Sequence, residues 1–179
     1  MRKIFAALLF TLVFTAPAYA ETLAAPSFYE VCFTPGQNCT RLIVKQIERA
    51  QKSIYMQAYT LTSRGIVAAL IAAHDRKVDV EVLIDQSNFK PGNRSLISKL
   101  IASGIPVWND NTVDIAHNKV MIFDETTLET GSFNYTYAAQ KYNAENVLII
   151  NNPTLAQEYL ANWKKRQAVS KVVSVGRFK

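Results

Sequence analysis

The chain has 179 residues, enough for one domain of ordinary size. Hydrophobic residues make up 49% and charged residues 19%, a balance that buries a core and excludes a disordered chain, while six Gly and six Pro exclude collagen-like or low-complexity architecture. The net charge is +6; two cysteines are too few for a disulfide scaffold or a four-cysteine zinc site, and any imidazole chemistry must come from His74 or His117.

Met1-Arg2-Lys3 is a short basic stretch, Ile4 to Phe14 is apolar except for Thr11, and Ala18-Tyr19-Ala20 is a small-x-small cleavage site. This is the pattern of a secretory signal peptide over residues 1–20, with an apolar run too short to span a bilayer. Cleavage after Ala20 removes Arg2 and Lys3 and leaves residues 21–179, with 18 basic against 14 acidic side chains and a charge of +4. The expected mature protein is periplasmic or secreted, without stable membrane insertion. In an oxidising compartment, Cys32 and Cys39, which flank the turn signal Pro35-Gly36, are expected to form a disulfide.

Phe28–Phe33 reads as a strand, and Thr40–Ala50 has helical spacing at Leu42, Ile43, Ile47 and Ala50. Ser53–Tyr59 reads as a strand, followed by a helix capped by Ser63 and carrying Ile66, Val67, Leu70 and Ile71. His74, near that helix's end, reads as a surface residue. Val78–Ile84 is a strand ending at Asp85, Pro91-Gly92-Asn93 a loop, and Ser95–Ser103 a helix stopped by Gly104. Ile105–Trp108, Lys119–Phe123, Thr127–Thr130 and Asn146–Ile150 read as strands, with Asp124-Glu125 at a turn. Asn134–Tyr142 is expected to be helical. Thr154 is expected to cap a last helix reaching about Ala168, before a basic tail from about residue 171. Strands alternating with helices of this length imply an α/β domain: a mostly mixed sheet flanked by helices on both faces.

The chemistry concentrates in His117-Asn118-Lys119, Asp124, Gly131-Ser132-Phe133-Asn134 and Glu145. Residues two apart in a strand share a face, so His117 and Lys119 point together, and Ser132 and Asn134 do so if that segment is extended. Asp124 is seven residues from His117, an odd number, and is expected to point elsewhere. Lys119 supplies a cation and Ser132 and Asn134 neutral donors. Backbone N–H groups after Gly131, at a helix start, are expected to favour an anion. This set suits a phosphoryl oxygen. His117 is a candidate nucleophile or general acid/base. Glu145 is placed to hold its second ring nitrogen.

His117, Lys119 and Asp124, in the spacing His-x-Lys-x4-Asp with Gly131-Ser132-x-Asn134 downstream, resemble the HKD motif of the phospholipase D superfamily. The leader, small size and single motif are most similar to that family's small exported bacterial endonucleases. The resemblance implies a phospholipase D-like fold and a phosphodiesterase that needs no metal or other cofactor and works through a covalent phosphohistidine. It makes His117 the nucleophile, Lys119 and Asn134 the ligands of non-bridging oxygens with Ser132 helping, Asp124 a structural acid, and Glu145 the carboxylate that orients the histidine.

One imidazole that has become the nucleophile cannot also protonate the leaving oxygen and activate water. The chain is too short for a second motif, so a homodimer pairing two His117 side chains is expected. Both DNA and phospholipids are phosphodiesters. The positive charge, with Lys164-Lys165-Arg166, Lys171, Arg177 and Lys179 near the C-terminus, favours double- and single-stranded DNA, with RNA left open. Tyr135 and Tyr137 suit either base stacking or the core. A phospholipase acting on head groups and a noncatalytic DNA-binding relative are the alternatives.

Overall fold

Strand-forming stretches with period-2 alternation and helical stretches with one apolar stripe succeed each other along the chain. The computed structural model describes residues 22–23, 27–89 and 94–174. The expected signal peptide, the Pro91–Asn93 loop, Arg177 and Lys179 lie outside the described residues. The strands are β1 (Phe28–Thr34), β2 (Ser53–Ala58), β3 (Asp79–Asp85), β4 (Val107–Asp110), β5 (Lys119–Phe123), β6 (Thr127–Gly131), β7 (Glu145–Asn151) and β8 (Lys171–Val172). The helices are α1 (Cys39–Arg49), α2 (Arg64–Asp75), α3 (Arg94–Ala102), α4 (Tyr137–Lys141) and α5 (Pro153–Val169), with a 3₁₀ turn at Gln86–Phe89.

The strands form one sheet in the order β1-β7-β6-β5-β2-β3-β4-β8. β2, β3 and β4 run parallel, and the other neighbours are antiparallel. Alternation explains its two faces. Ile54, Met56 and Ala58 of β2 and Val80, Val82 and Ile84 of β3 meet Ile43 and Ile47 of α1, Val67 and Leu70 of α2, and Ile97 and Leu100 of α3. On the opposite face Leu83, Val120, Ile122 and Leu128 meet Ala156 and Trp163 of α5. Trp163 seats that helix by donating its indole N–H to the Met56 carbonyl at 2.9 Å. Helices therefore cover both faces, as the alternation predicts. Among the described residues α5 packs over β2, β4, β5 and β6, while Tyr29, Val31 and Phe33 of β1 stay exposed on the same face. No helix among the described residues is long and apolar enough to cross a membrane.

Several boundaries differ from the sequence reading. Ser63 does cap α2, accepting from the Ile66 N–H. α5, however, is capped by Asn152, whose side chain accepts from the Leu155 N–H, with Pro153 in the first turn where its missing N–H costs nothing. α4 is shorter than expected because Thr136 caps it, so Asn134 precedes the helix. The tail from residue 171 opens as strand β8, pairing Lys171 and Val172 with Asn109 and Trp108. His74 is half-buried, with a ring nitrogen 3.4 Å from where a Cβ on Gly104 would stand. The expected disulfide joins Cys32 to Cys39.

Candidate active site

The site begins where two parallel strands end, the edge at which open α/β sheets place their ligands. Asp85, the last residue of β3, is buried. Its carboxylate accepts from the Ala116 N–H at 2.8 Å, which anchors the segment leading into His117. On the other side the Tyr59 N–H, just past β2, donates to the Asn118 carbonyl at 3.0 Å. Two strand ends thus grip the backbone on either side of His117.

His117 is exposed, and Lys119, opening β5, is 6% exposed. As parity requires, they converge. Lys119 Nζ lies 2.9 Å from His117 Nδ1 and 3.1 Å from Nε2, and it donates to the His117 carbonyl at 2.6 Å. An ammonium can only donate, so a ring nitrogen bonded to it presents its lone pair. Burial lowers the Lys119 pKa from the ordinary lysine range, and the nearby Glu145 carboxylate opposes that shift. Tyr59 backs the pair. Its ring lies 4.5 Å from the imidazole, centroid to centroid, and 5.2 Å from Lys119 Nζ.

A cavity of about 370 Å³ opens here, lined by His117, Asn118, Lys119, Thr130, Ser132 and Tyr159 among others. Across it, Ser132 Oγ donates to Glu145 Oε2 at 2.5 Å and accepts from the Asn146 N–H at 3.1 Å. The other Glu145 oxygen accepts from Asn143 Nδ2 at 2.8 Å. In this structure the Glu145 carboxylate is therefore engaged by Ser132 and Asn143, and the His117 ring nitrogens face Lys119; the expected Glu145–imidazole bond is not made. Asn134 is half-buried and outside the cavity lining, with its Oδ1 buried and unpartnered.

The backbone after Gly131 corrects one expectation. The N–H groups of Ser132 and Phe133 both donate to the Asn146 carbonyl, at 3.2 and 3.3 Å, so they are not free for an anion. Gly131 is required by that same approach, since a Cβ there would stand 2.2 Å from the Asn146 oxygen. Asp124 lies at the far end of β5, roughly 23 Å along the strand from His117 at about 3.3 Å per residue. Its carboxylate accepts from the N–H groups of Gln51, Lys52 and Ser53. It is a structural acid, held with Glu125 in a left-handed turn at φ 51° and 60°.

Tyr135 is core, donating its hydroxyl to the buried Glu129 at 2.7 Å, whereas Tyr137 is exposed and meets Tyr142 edge-on at 5.8 Å. The expected basic cluster is reduced. Arg166 forms a two-pronged pair with the buried Asp110, at 2.5 and 2.9 Å, while Lys164 and Lys165 stay exposed. Among the described residues no group of three His, Cys, Asp or Glu side chains is arranged to hold a metal ion. Tyr59 and Asp85 were not singled out from sequence; their position just past or at the end of parallel strands is the signal that points to them.

An imidazole braced by an ammonium at an open cavity of this α/β fold is the equipment of phosphodiester chemistry. Residues 43–166 match the family model described as cardiolipin synthase, PLD-like domain, a span that holds the His117–Asp124 motif and Glu145. The chain belongs to the phospholipase D superfamily and is a phosphodiesterase. Phospholipase D of Rickettsia typhi is 48% identical over 141 residues, 79% of this chain and 69% of that protein. Phospholipase D of Rickettsia prowazekii is 41% identical over 174 residues, 92% of this chain and 84% of that protein. Among solved structures, Nuc from Salmonella typhimurium, a phospholipase D family member, is 37% identical and superposes with a TM-score of 0.80 over 83% of this chain and 99% of that one.

Proposed function

We propose that the protein is an exported, nonspecific endonuclease that hydrolyses DNA phosphodiester bonds without a metal ion, through a covalent phosphohistidine on His117. The observation that carries this reading is Lys119 Nζ, 2.9 Å from a His117 ring nitrogen at the cavity mouth. It places a cation where the phosphoryl oxygens would lie when the imidazole attacks phosphorus. The family resemblance adds Ser132, held by Glu145, and Asn134 as further oxygen ligands, Asn134 reaching in from just outside the cavity lining when substrate binds.

In the first step a His117 nitrogen bonds to phosphorus and the leaving alkoxide takes a proton from His117 of the partner subunit. In the second step that partner imidazole accepts a proton from water as the water displaces His117 from phosphorus. A homodimer is supported by the surface beside the cavity. On the face shared with α5, Val120 and Thr130 continue through Leu148 of β7 to Val31 of β1 in one row of the sheet. Tyr29, Val31 and Phe33 stay exposed there, Tyr29 at 72%. A second copy seated on this strip would bring two cavities together.

DNA is favoured by the positive charge, by the exposed Lys164 and Lys165, by the exposed Tyr137–Tyr142 pair that offers a stacking platform, and by the resemblance to small exported endonucleases of the superfamily. RNA presents the same bond. A second reading, cleavage of phospholipid head groups, is favoured by the names of the Rickettsia relatives and by the apolar strip, which would then meet a bilayer.

The test is nicking of supercoiled plasmid by oxidised protein in excess EDTA, beside His117→Ala, with release of head groups from phospholipid vesicles in parallel. Cleavage of plasmid by the wild type alone is expected. Plasmid cleavage restored only by magnesium overturns the phosphohistidine route. Head-group release without nicking replaces the nuclease reading by the lipid one. A one-protomer mass at active concentrations removes the two-histidine arrangement.

A further inference from the structure

β1 ends at Thr34, inside the ring that the Cys32–Cys39 disulfide closes. Thr34 is buried. Its Oγ1 lies 3.0 Å from the carbonyls of both Ala139 and Asn143, so it donates to one or the other, and it accepts from the Glu145 N–H at 3.1 Å. One hydroxyl thus spans the turn from α4 into β7, the turn that delivers Glu145. Gln140 makes a second stitch. Its Oε1 accepts from the Thr40 N–H and its Nε2 donates to the Gln37 carbonyl, both at 2.9 Å. Gln37 in turn fixes the loop's own shape, accepting the Phe33 N–H at 2.7 Å. The far side of the same turn holds the site, where Glu145 grips Ser132 at 2.5 Å.

We propose that Thr34 is a positioning residue for Glu145 and, through it, for Ser132, and that the Cys32–Cys39 disulfide makes this positioning redox-dependent. The proposal rests on the reading of Glu145 and Ser132 as site residues. The loop carries both stitches, and the disulfide ties its start in β1 to its end in α1, so Thr34 and Gln37 keep one register against α4. Reduction by a dithiol transfers two electrons and two protons. The S–S bond becomes two thiols while the reductant becomes a disulfide. The loop then loses its one covalent closure and is held at its α1 end by single hydrogen bonds, from the Arg41 N–H to the Asn38 side chain and from Gln140 to Thr40 and Gln37. Thr34 is the last rung of the β1–β7 ladder, opposite Glu145, so without the covalent closure that end of the ladder loosens and the Thr34 hydroxyl holds Glu145, and through it Ser132, less firmly. An enzyme built this way is slow in a thiol-rich compartment and reaches full rate after export to an oxidising one.

The experiment compares oxidised and dithiothreitol-reduced protein, with the redox state counted by thiol titration, for wild type, Thr34→Ser and Thr34→Val. Plasmid nicking and hydrogen exchange at the Glu145 amide are both read at 25 °C, where melting curves confirm that each form is folded. Thr34→Ser keeps the hydroxyl and stays within about twofold of wild type. Thr34→Val loses about tenfold in kcat with little change in KM, the loss expected when a site group is displaced by a fraction of an ångström. Reduction lowers wild-type kcat similarly but adds little to Thr34→Val, because both act through one hydroxyl. Losses that multiply, or none in either form, overturn the proposal. If oxidised wild type does not cleave DNA, the nuclease reading fails separately, and the exchange data decide the positioning: the Glu145 amide must exchange faster on reduction and in Thr34→Val, and unchanged exchange overturns it.

Discussion

The phenol ring of Tyr59 lies against the imidazole of His117, with centroids 4.5 Å apart and planes tilted by 49°. Because the Glu145 carboxylate is engaged elsewhere, Tyr59 and Lys119 are what hold the proposed nucleophile's ring in place. Such a ring contact contributes about 0.5–1.5 kcal/mol. Tyr59→Leu is therefore expected to lower the plasmid-nicking kcat by roughly threefold to tenfold, while Tyr59→Phe keeps the ring and most of the rate. Equal rates for all three proteins would show that the ring contact does not orient His117.

Lys119 governs the alkaline limb. Its pKa is lowered by burial, so its ammonium loses its proton at a pH below the ordinary lysine value of 10.5. The neutral amine no longer offsets charge on the phosphoryl oxygens. The rate should fall as pH rises through that lowered value. Lys119→Arg keeps its charge over the whole range and should be slower but level. A pH–rate profile to 10.5 checks this, and a wild-type rate that stays flat to the end contradicts it.

His117 and Lys119 were legible as a pair because strand parity is a local property, and the Ser63 cap and the sheet's two apolar faces were legible for the same reason. Asp124 was separated from the site by the same parity count. Tyr59, Asp85 and Thr34 reach the site from segments between about 30 and more than 100 residues away in sequence, and only the strand order reveals them. The use of the Ser132 and Phe133 N–H groups by the Asn146 carbonyl depends on β6 pairing with β7, which no motif states. Arg166 of α5 read as one more solvated cation because its partner Asp110 ends strand β4, 56 residues earlier in the chain.

Asp124 makes a stability prediction and not a catalytic one. Its carboxylate serves three consecutive N–H groups at the start of β2. Asp124→Ala leaves them to water where they are exposed and unpaired at the buried Ser53, at a cost of about 1–3 kcal/mol. For a domain of this size that lowers the melting temperature by roughly 3–10 °C. Nicking by the folded variant at 25 °C should stay within about threefold of wild type, the mark of a residue that acts through stability. A large loss of kcat with an unchanged melting temperature would place Asp124 in the chemistry after all.

Glu129 makes the fold's stability depend on pH. It sits on β6 between Met121 and Ile149, on the sheet face away from α5, wholly buried, with the Tyr135 hydroxyl donating to one oxygen at 2.7 Å. Burial pushes its carboxyl from 4.5 up to about 8, against the smaller opposing hydrogen bonds of the Tyr135 hydroxyl and the Met121 backbone. Below pH 4.5 it is protonated in both the folded and the unfolded chain, and it costs nothing. Between 4.5 and about 8 the unfolded chain releases the proton while the folded chain retains it, so stability falls as pH rises. Above about 8 both have released it and the penalty is constant. Glu129→Gln keeps the shape and an acceptor for Tyr135 but has no proton to lose. Denaturant unfolding should find the two proteins similar near pH 4.5 and the variant more stable at pH 8.5, by an amount on the order of a few kcal/mol. A stability gap of the same size at both pH values would mean that Glu129 does not carry its proton into the fold.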